Sequence, residues 1–172
     1  WALFMLNDTL LLGQLSKDVS IVADYKIASV FPGFVSILST SVGVFIAPYF
    51  VSKEQEKDYC WIMKYWKKSI FITTLLLLGI VGCIWPISSY LVKLFYGEEY
   101  LAIVPIMKVL LIGAVVNGGC RYLTANYISI MGKVKYNMII SSIGILLQIV
   151  IDINLIPKFG IIGVAYGDLF IY

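Results

Sequence analysis

The sequence predicts an all-α, polytopic membrane protein, and three features point that way. Of its 172 residues 60% are hydrophobic and 13% charged, whereas a soluble domain carries about 25% charged residues. The charge is also clustered: 26 residues from Ile27 to Ser52, and 24 from Ser69 to Val92, contain none. About 20 apolar residues are enough to cross the hydrocarbon core as a helix. Finally, these runs lack the alternation of barrel strands and exceed their usual length of about 9–11 residues. Backbone groups in lipid must be satisfied within the protein, so helices remain.

Six apolar segments follow in order. The first, Trp1 to about Leu15, is the shortest complete one and carries a polar line, Asn7, Asp8 and Gln14. The second, about Ser20 to Phe50, and the third, Ser69 to Val92, hold the two charge-free runs. The fourth spans about Leu101 to Met131, the fifth about Tyr136 to Ile156, and the sixth runs from Gly160 to the end. Pro32, Pro48, Pro86 and Pro105 fall within or near spans, which membrane bundles tolerate when neighbours re-satisfy the freed carbonyls. No basic n-region precedes the first segment, no initiator Met is present, and the chain ends inside an apolar run. It reads as an excerpt of a longer protein.

Lysine distribution sets the expected orientation. Connections after the second and fourth segments carry Lys53, Lys57, Lys64, Lys67, Lys68, Lys133 and Lys135, against Lys17, Lys93 and Lys158 after the others. Seven against three places the 51–68 and 132–135 connections in the cytoplasm, and "KLFYGEEY" (93–100) becomes a tight turn on the opposite side. Within 51–68, "CWIMKYWKK" puts Trp61, Ile62, Tyr65 and Trp66 on one helical face and Lys64, Lys67 and Lys68 opposite. This suits either a helix lying in the headgroup region or the flanking anchors of the next span.

Charges inside spans need a partner or a wet cavity, because each costs at least ~2.5–3.5 kcal/mol at the bilayer centre. Arg121 lies twelve residues from Lys133, about 18 Å deep in a helix. Asn117 and Thr124 lie about one turn to either side, so the three form a polar stripe. Such a stripe suits a cavity for an anionic group; an interhelical ion pair is the alternative. Asp8 and Lys26 each lie about nine residues from a turn near Lys17, and so at similar depth on antiparallel neighbours. They pair either as a static clamp or as a site where the carboxylate releases its lysine to take a proton or sodium ion. Asp24, Lys108, Asp152 and Asp168 lie nearer span ends and read as interfacial.

Nothing here supports an enzyme. There is no histidine, no GxxxxGK[ST], and no pair of carboxylates in a solvent cleft. Cys60, Cys83 and Cys120 are widely spaced, and they read as buried apolar fillers rather than metal ligands. No cofactor is expected, and no nucleic-acid partner. "NGG" (117–119) and Gly160, Gly163 and Gly167 read as sites of close helix packing.

Several stretches, in order, resemble a known pattern. "VADYKIAS" followed by "IAPYF" is similar to the second-half helix of polysaccharide-unit flippases, and "LVKLFYGEEYLAIVPIMKVL" to their Leu-Phe-Gly-x-x-Tyr connection. "ISIMGKVKYN" resembles their cytoplasmic Gly-Lys turn, and "DINLIPKFGIIGVAYGDLF" their Asn-x-x-Leu-Ile-Pro-x-x-Gly-Ile-x-Gly-Ala-Ala segment. "NDTLLLGQLSKD" is similar to the Asp-x-x-x-Leu-Gly opening of that half. Val164, Tyr166 and the extra Tyr96 depart from the pattern. The family is the O-antigen and capsule repeat-unit flippases (Wzx-type), within the multidrug/oligosaccharidyl-lipid/polysaccharide exporter superfamily.

The resemblance implies a six-helix lobe, the second half of a MATE-like two-lobed transporter working by alternating access coupled to an ion gradient. The implied cargo is an undecaprenyl-pyrophosphate-linked oligosaccharide, moved across the bacterial cytoplasmic (inner) membrane beside polysaccharide polymerase and assembly proteins. Arg121 and Lys26 are what this lobe offers an anionic cargo, an inference from depth rather than from a family motif. A multidrug or lipid-II exporter is the alternative within the superfamily. A membrane-embedded glycan polymerase is less well matched, because the loops on the far face are short.

Overall fold

The computed structural model describes residues 2–16 and 19–171. The expected first turn near Lys17, and the end residues Trp1 and Tyr172, lie outside them. Among the described residues every regular element is helical. Helix α1 is Ala2–Ser16, α2 is Val19–Gln55 and α3 is Tyr59–Tyr96. A 3-10 turn, Glu98–Ile103, leads into α4 (Val104–Val116), a π-helical segment (Asn117–Tyr122) and α5 (Leu123–Ile130) without a break. Helix α6 is Val134–Phe159, and α7 is Ile161–Ile171.

Six helical segments therefore stand where six apolar segments were expected, and four are long and apolar enough to cross a membrane: Ser20–Gln55, Tyr59–Tyr96, Glu98–Ile130 and Val134–Phe159. Helices α1 and α7, of 15 and 11 residues, reach about 22 and 16 Å at ~1.5 Å per residue, short of a hydrocarbon core of about 30 Å. The protein is a helical, multi-pass membrane protein. On length, six spans are not reached among the described residues.

The expected 51–68 loop is largely helix. Only residues 56–58 interrupt α2 and α3, because the Lys, Glu and Gln that lower hydropathy there are good helix formers. Asp58 caps α3 by accepting from the Trp61 amide at 3.0 Å. "CWIMKYWKK" thus lies in the opening turns of α3 and not in a separate in-plane helix, which leaves the flanking-anchor reading. Its rings join those of neighbouring helices: Trp61 stacks on Tyr65 at 4.1 Å, Trp66 stacks on Tyr127 at 5.4 Å, and Phe50 meets Trp61 edge-on at 5.8 Å. Lys53 and Lys68 lie over Trp61 and Tyr65. This is the composition of an interfacial belt.

At the other end "KLFYGEEY" forms the expected turn. Gly97 takes φ +97°, a backbone region that side chains disfavour. Glu98 pairs with Lys93, and Glu98 and Glu99 are exposed.

The core centres on the Glu98–Ile130 span, 61% buried against 17% to 22% for the other three. Helices α2, α3 and α7 pack on α4, α7 folds back on α6, and α1 packs on α6. Met107, Leu110, Leu111, Ala114 and Val115 fill the centre against Val35, Leu77 and Val164. The outer faces are apolar: Phe45, Phe71, Met138 and Phe170 are between 66% and 80% exposed. A face this hydrophobic suits lipid rather than water.

Candidate functional site

Two polar sites interrupt this apolar bundle. The first is a cavity of about 470 Å³ at the π-helical segment. Asn117, Arg121 and Thr124 all line it, as their spacing predicted, with Ser36, Ser39 and Thr40 from α2 and Asn137 and Ser141 from α6. The sequence gave no sign of the π-helix, although Gly118 and Gly119 belong to it. A side chain at 118 would overlap Ser39, and one at 119 would overlap Thr74. The "NGG" stretch therefore serves the close packing expected of it.

The lining divides into donors and acceptors. Ser36 donates to the Pro32 carbonyl at 3.1 Å, Thr40 to Ile37 at 2.7 Å, and Thr124 to Cys120 at 2.6 Å. Each hydroxyl spends its proton on its own helix, which leaves oxygen lone pairs for the cavity. Arg121 and Asn117 contribute N–H donors; Arg121 is half-buried and Asn117 buried. Among the described residues that line this cavity there is no carboxylate.

Lys26 takes no part in this cavity. It is exposed on α2, ten residues before Ser36, a separation of about 15 Å along a helix. Nor does it pair with Asp8. The side chain that meets Asp8 is its neighbour Tyr25, whose hydroxyl lies 3.0 Å from Asp8 Oδ2. Matching the depths of Asp8 and Lys26 located the contact between helices, but consecutive residues point ~100° apart on a helix. The inward position went to Tyr25.

Asp8 belongs instead to a second site that sequence reasoning missed. Asp8, Tyr25, Gln148, Asp152 and Asp168 are each at most 1% exposed. Gln148 donates from Nε2 to Asp8 Oδ1 and, at 3.1 Å, to Asp168 Oδ1. The Tyr25 hydroxyl lies 3.1 Å from Asp168 Oδ2. Asp152 and Asp168 are therefore buried rather than interfacial. The overlooked signal was symmetry, since each lies eight residues from the Gly160 turn and the hairpin brings them to one depth. Gln148 sits one turn before Asp152 on the same face.

The remaining expected positions separate. Asp24 and Lys108 are half-buried, Lys108 lying 5.5 Å over the Trp85 ring, a cation–π contact. Gln14 is exposed, and Asn7 has an amide nitrogen with no partner. Cys60, Cys83 and Cys120 are all exposed and not buried fillers. Of the three glycines 160, 163 and 167, two pack closely: a Cβ at 163 would meet the Leu155 carbonyl at 2.7 Å, and one at 167 would meet Asp152. Gly160 instead forms the turn, with φ +59°. Among the described residues no group of three or more His, Cys, Asp or Glu is arranged to hold a metal ion.

No protein-family model and no solved structure matches the chain. The chain is 29% identical over 160 residues to an uncharacterized membrane protein of Methanocaldococcus jannaschii. That match covers 88% of this chain and 30% of the relative's own length.

Proposed function

We propose that the chain is one lobe of a Wzx-type, MATE-like flippase that carries a lipid-linked oligosaccharide across the cytoplasmic membrane by alternating access. The observation behind this reading is the Arg121 cavity. A guanidinium, amides and a ring of hydroxyl oxygens sit inside a bundle whose outer faces are apolar. Guanidinium matches a pyrophosphate or acidic sugar in a bidentate way, and the hydroxyl and amide groups match sugar hydroxyls. A volume of about 470 Å³ lies within the ~300–1,000 Å³ typical of small-molecule sites. It suits the headgroup end of a cargo whose remaining contacts come from another lobe.

The charge of the lining favours this cargo over a cationic drug, which would call for carboxylates facing the cavity. The carrier lipid is a polyprenyl pyrophosphate, undecaprenyl in a bacterium. The polymerase reading gains no support, because neither site pairs a nucleophile with a base. The test is complementation with the full-length protein. Arg121→Ala should abolish surface glycan display at equal expression, and Arg121→Lys should retain part of it. Normal display by the Ala variant would remove Arg121 from cargo binding.

A further inference from the structure

The pocket formed by Asp8, Tyr25, Gln148, Asp152 and Asp168 lies apart from the Arg121 cavity and shares no residue with it. Its hydrogen bonds cannot be completed by ionised carboxylates alone. The Tyr25 hydroxyl has one proton, yet its oxygen lies 3.0 Å from Asp8 Oδ2 and 3.1 Å from Asp168 Oδ2. It donates to one of them. The other contact is a hydrogen bond only when that carboxyl donates its own proton to the phenol oxygen. Gln148 does not fill the gap, since its two N–H groups are directed to Asp8 Oδ1 and Asp168 Oδ1.

Asp152 makes a second, independent demand. It is 0% exposed, and neither carboxyl oxygen has a hydrogen-bond partner among the described residues. The carbonyl oxygen of Gln148, also 0% exposed, is equally unpartnered. A buried carboxylate in that state would be an uncompensated charge, beside two other carboxyl groups that disfavour it further. A proton on Asp152 removes the charge and adds a donor to a pocket whose other unsatisfied atom is an acceptor.

The groups around the pocket supply no cation. Helix α1 presents Asp8, α2 Tyr25, α6 Asp152 with Gln148, and α7 Asp168. Lys26, next to Tyr25, is exposed; Asp24 is half-buried; and Lys108 on α4, which packs on α7, lies over Trp85. No three of the acidic groups are arranged as metal ligands among the described residues.

We propose that this pocket is a proton-binding site in which Asp8 and Asp168 share one exchangeable proton through the Tyr25 hydroxyl and Asp152 holds a second. Each proton comes from water onto a carboxylate oxygen to form the acid and returns to water when the pocket opens. The pocket ties α1 and α2 to the α6–α7 hairpin, so losing both protons leaves three like charges in contact and drives those elements apart. The site stands independently of the cargo proposed for the Arg121 cavity.

The test is infrared difference spectroscopy on the full-length protein in lipid vesicles, titrated in pH and exchanged into D2O. Wild type should show carboxylic-acid C=O bands at neutral pH that move in D2O and disappear at alkaline pH. Asp152→Asn should remove one component and Asp168→Asn another, while Tyr25→Phe should shift only the second. Absence of acid bands in wild type at neutral pH would overturn the proposal. So would bands unchanged in both Asn variants. Loss of the wild-type bands when sodium replaces choline at constant pH would also overturn it, by making the pocket a sodium site. The wild-type titration and sodium exchange decide the matter even if a variant fails to fold. Glycan display does not enter the measurement.

Discussion

Replacing Gly118 with Ala probes the contact that lets α2 approach the cavity wall. The added methyl would lie 2.9 Å from Ser39 Cβ and 3.2 Å from Leu77 Cδ1, and it would overlap Ser39 Oγ. Rotating the serine hydroxyl relieves only the last of these; the Cβ contact requires helix movement. Overpacking of this kind costs about 1–3 kcal/mol, offset by about 0.8–1.0 kcal/mol of helix propensity gained from Gly to Ala. A net loss near 1 kcal/mol corresponds to a Tm about 2–4 °C lower for a chain of this size. Ser39→Gly removes both colliding atoms, so the double variant should recover stability, with a coupling of roughly 1–2 kcal/mol. Tryptophan-fluorescence melting of the four proteins in one detergent completes the cycle. Zero coupling, or a more stable Gly118→Ala single variant, would refute the close approach of α2 to the π segment.

Asp58→Ala removes the acceptor for the Trp61 amide and should lower stability by about 0.5–2 kcal/mol, with Asp58→Asn or Asp58→Ser close to wild type in the same melting assay. Cys60 lies in the first turn of α3 beside the lysine-rich end, and Cys83 lies mid-helix, both exposed. A membrane-impermeant maleimide should label Cys60 from the cytoplasmic side only and leave Cys83 unmodified. Labelling of Cys60 from outside would reverse the proposed orientation, and labelling of Cys83 would place it in water.

The spans were legible because charge-free runs are a one-dimensional signal, and the stripe of Asn117, Arg121 and Thr124 was legible because one helix carries all three. What failed depended on relations between helices. Asp152 and Asp168 were placed by their distance from span ends, one helix at a time, yet their equal distance from Gly160 already set them side by side. Asp8 was matched to Lys26 by depth, which says nothing about azimuth, and Tyr25 held the inward direction. The 51–68 connection was misread because hydropathy marks where lipid ends and not where a helix ends. The π segment depends on Gly118 and Gly119 meeting Ser39 and Thr74, side chains supplied by other helices.

The central claim, that the Arg121 cavity receives an anionic glycolipid, is tested most directly by reconstituted transport. Full-length protein in vesicles would be supplied with a fluorescent polyprenyl-pyrophosphate oligosaccharide, and its movement between leaflets followed by quenching. Losing a charge-assisted hydrogen bond costs about 1.5–3 kcal/mol, roughly 10–150-fold in affinity. At cargo concentrations below saturation Arg121→Ala should slow transport by about that factor, and Arg121→Lys should slow it less. Equal rates for wild type and Arg121→Ala would contradict the claim.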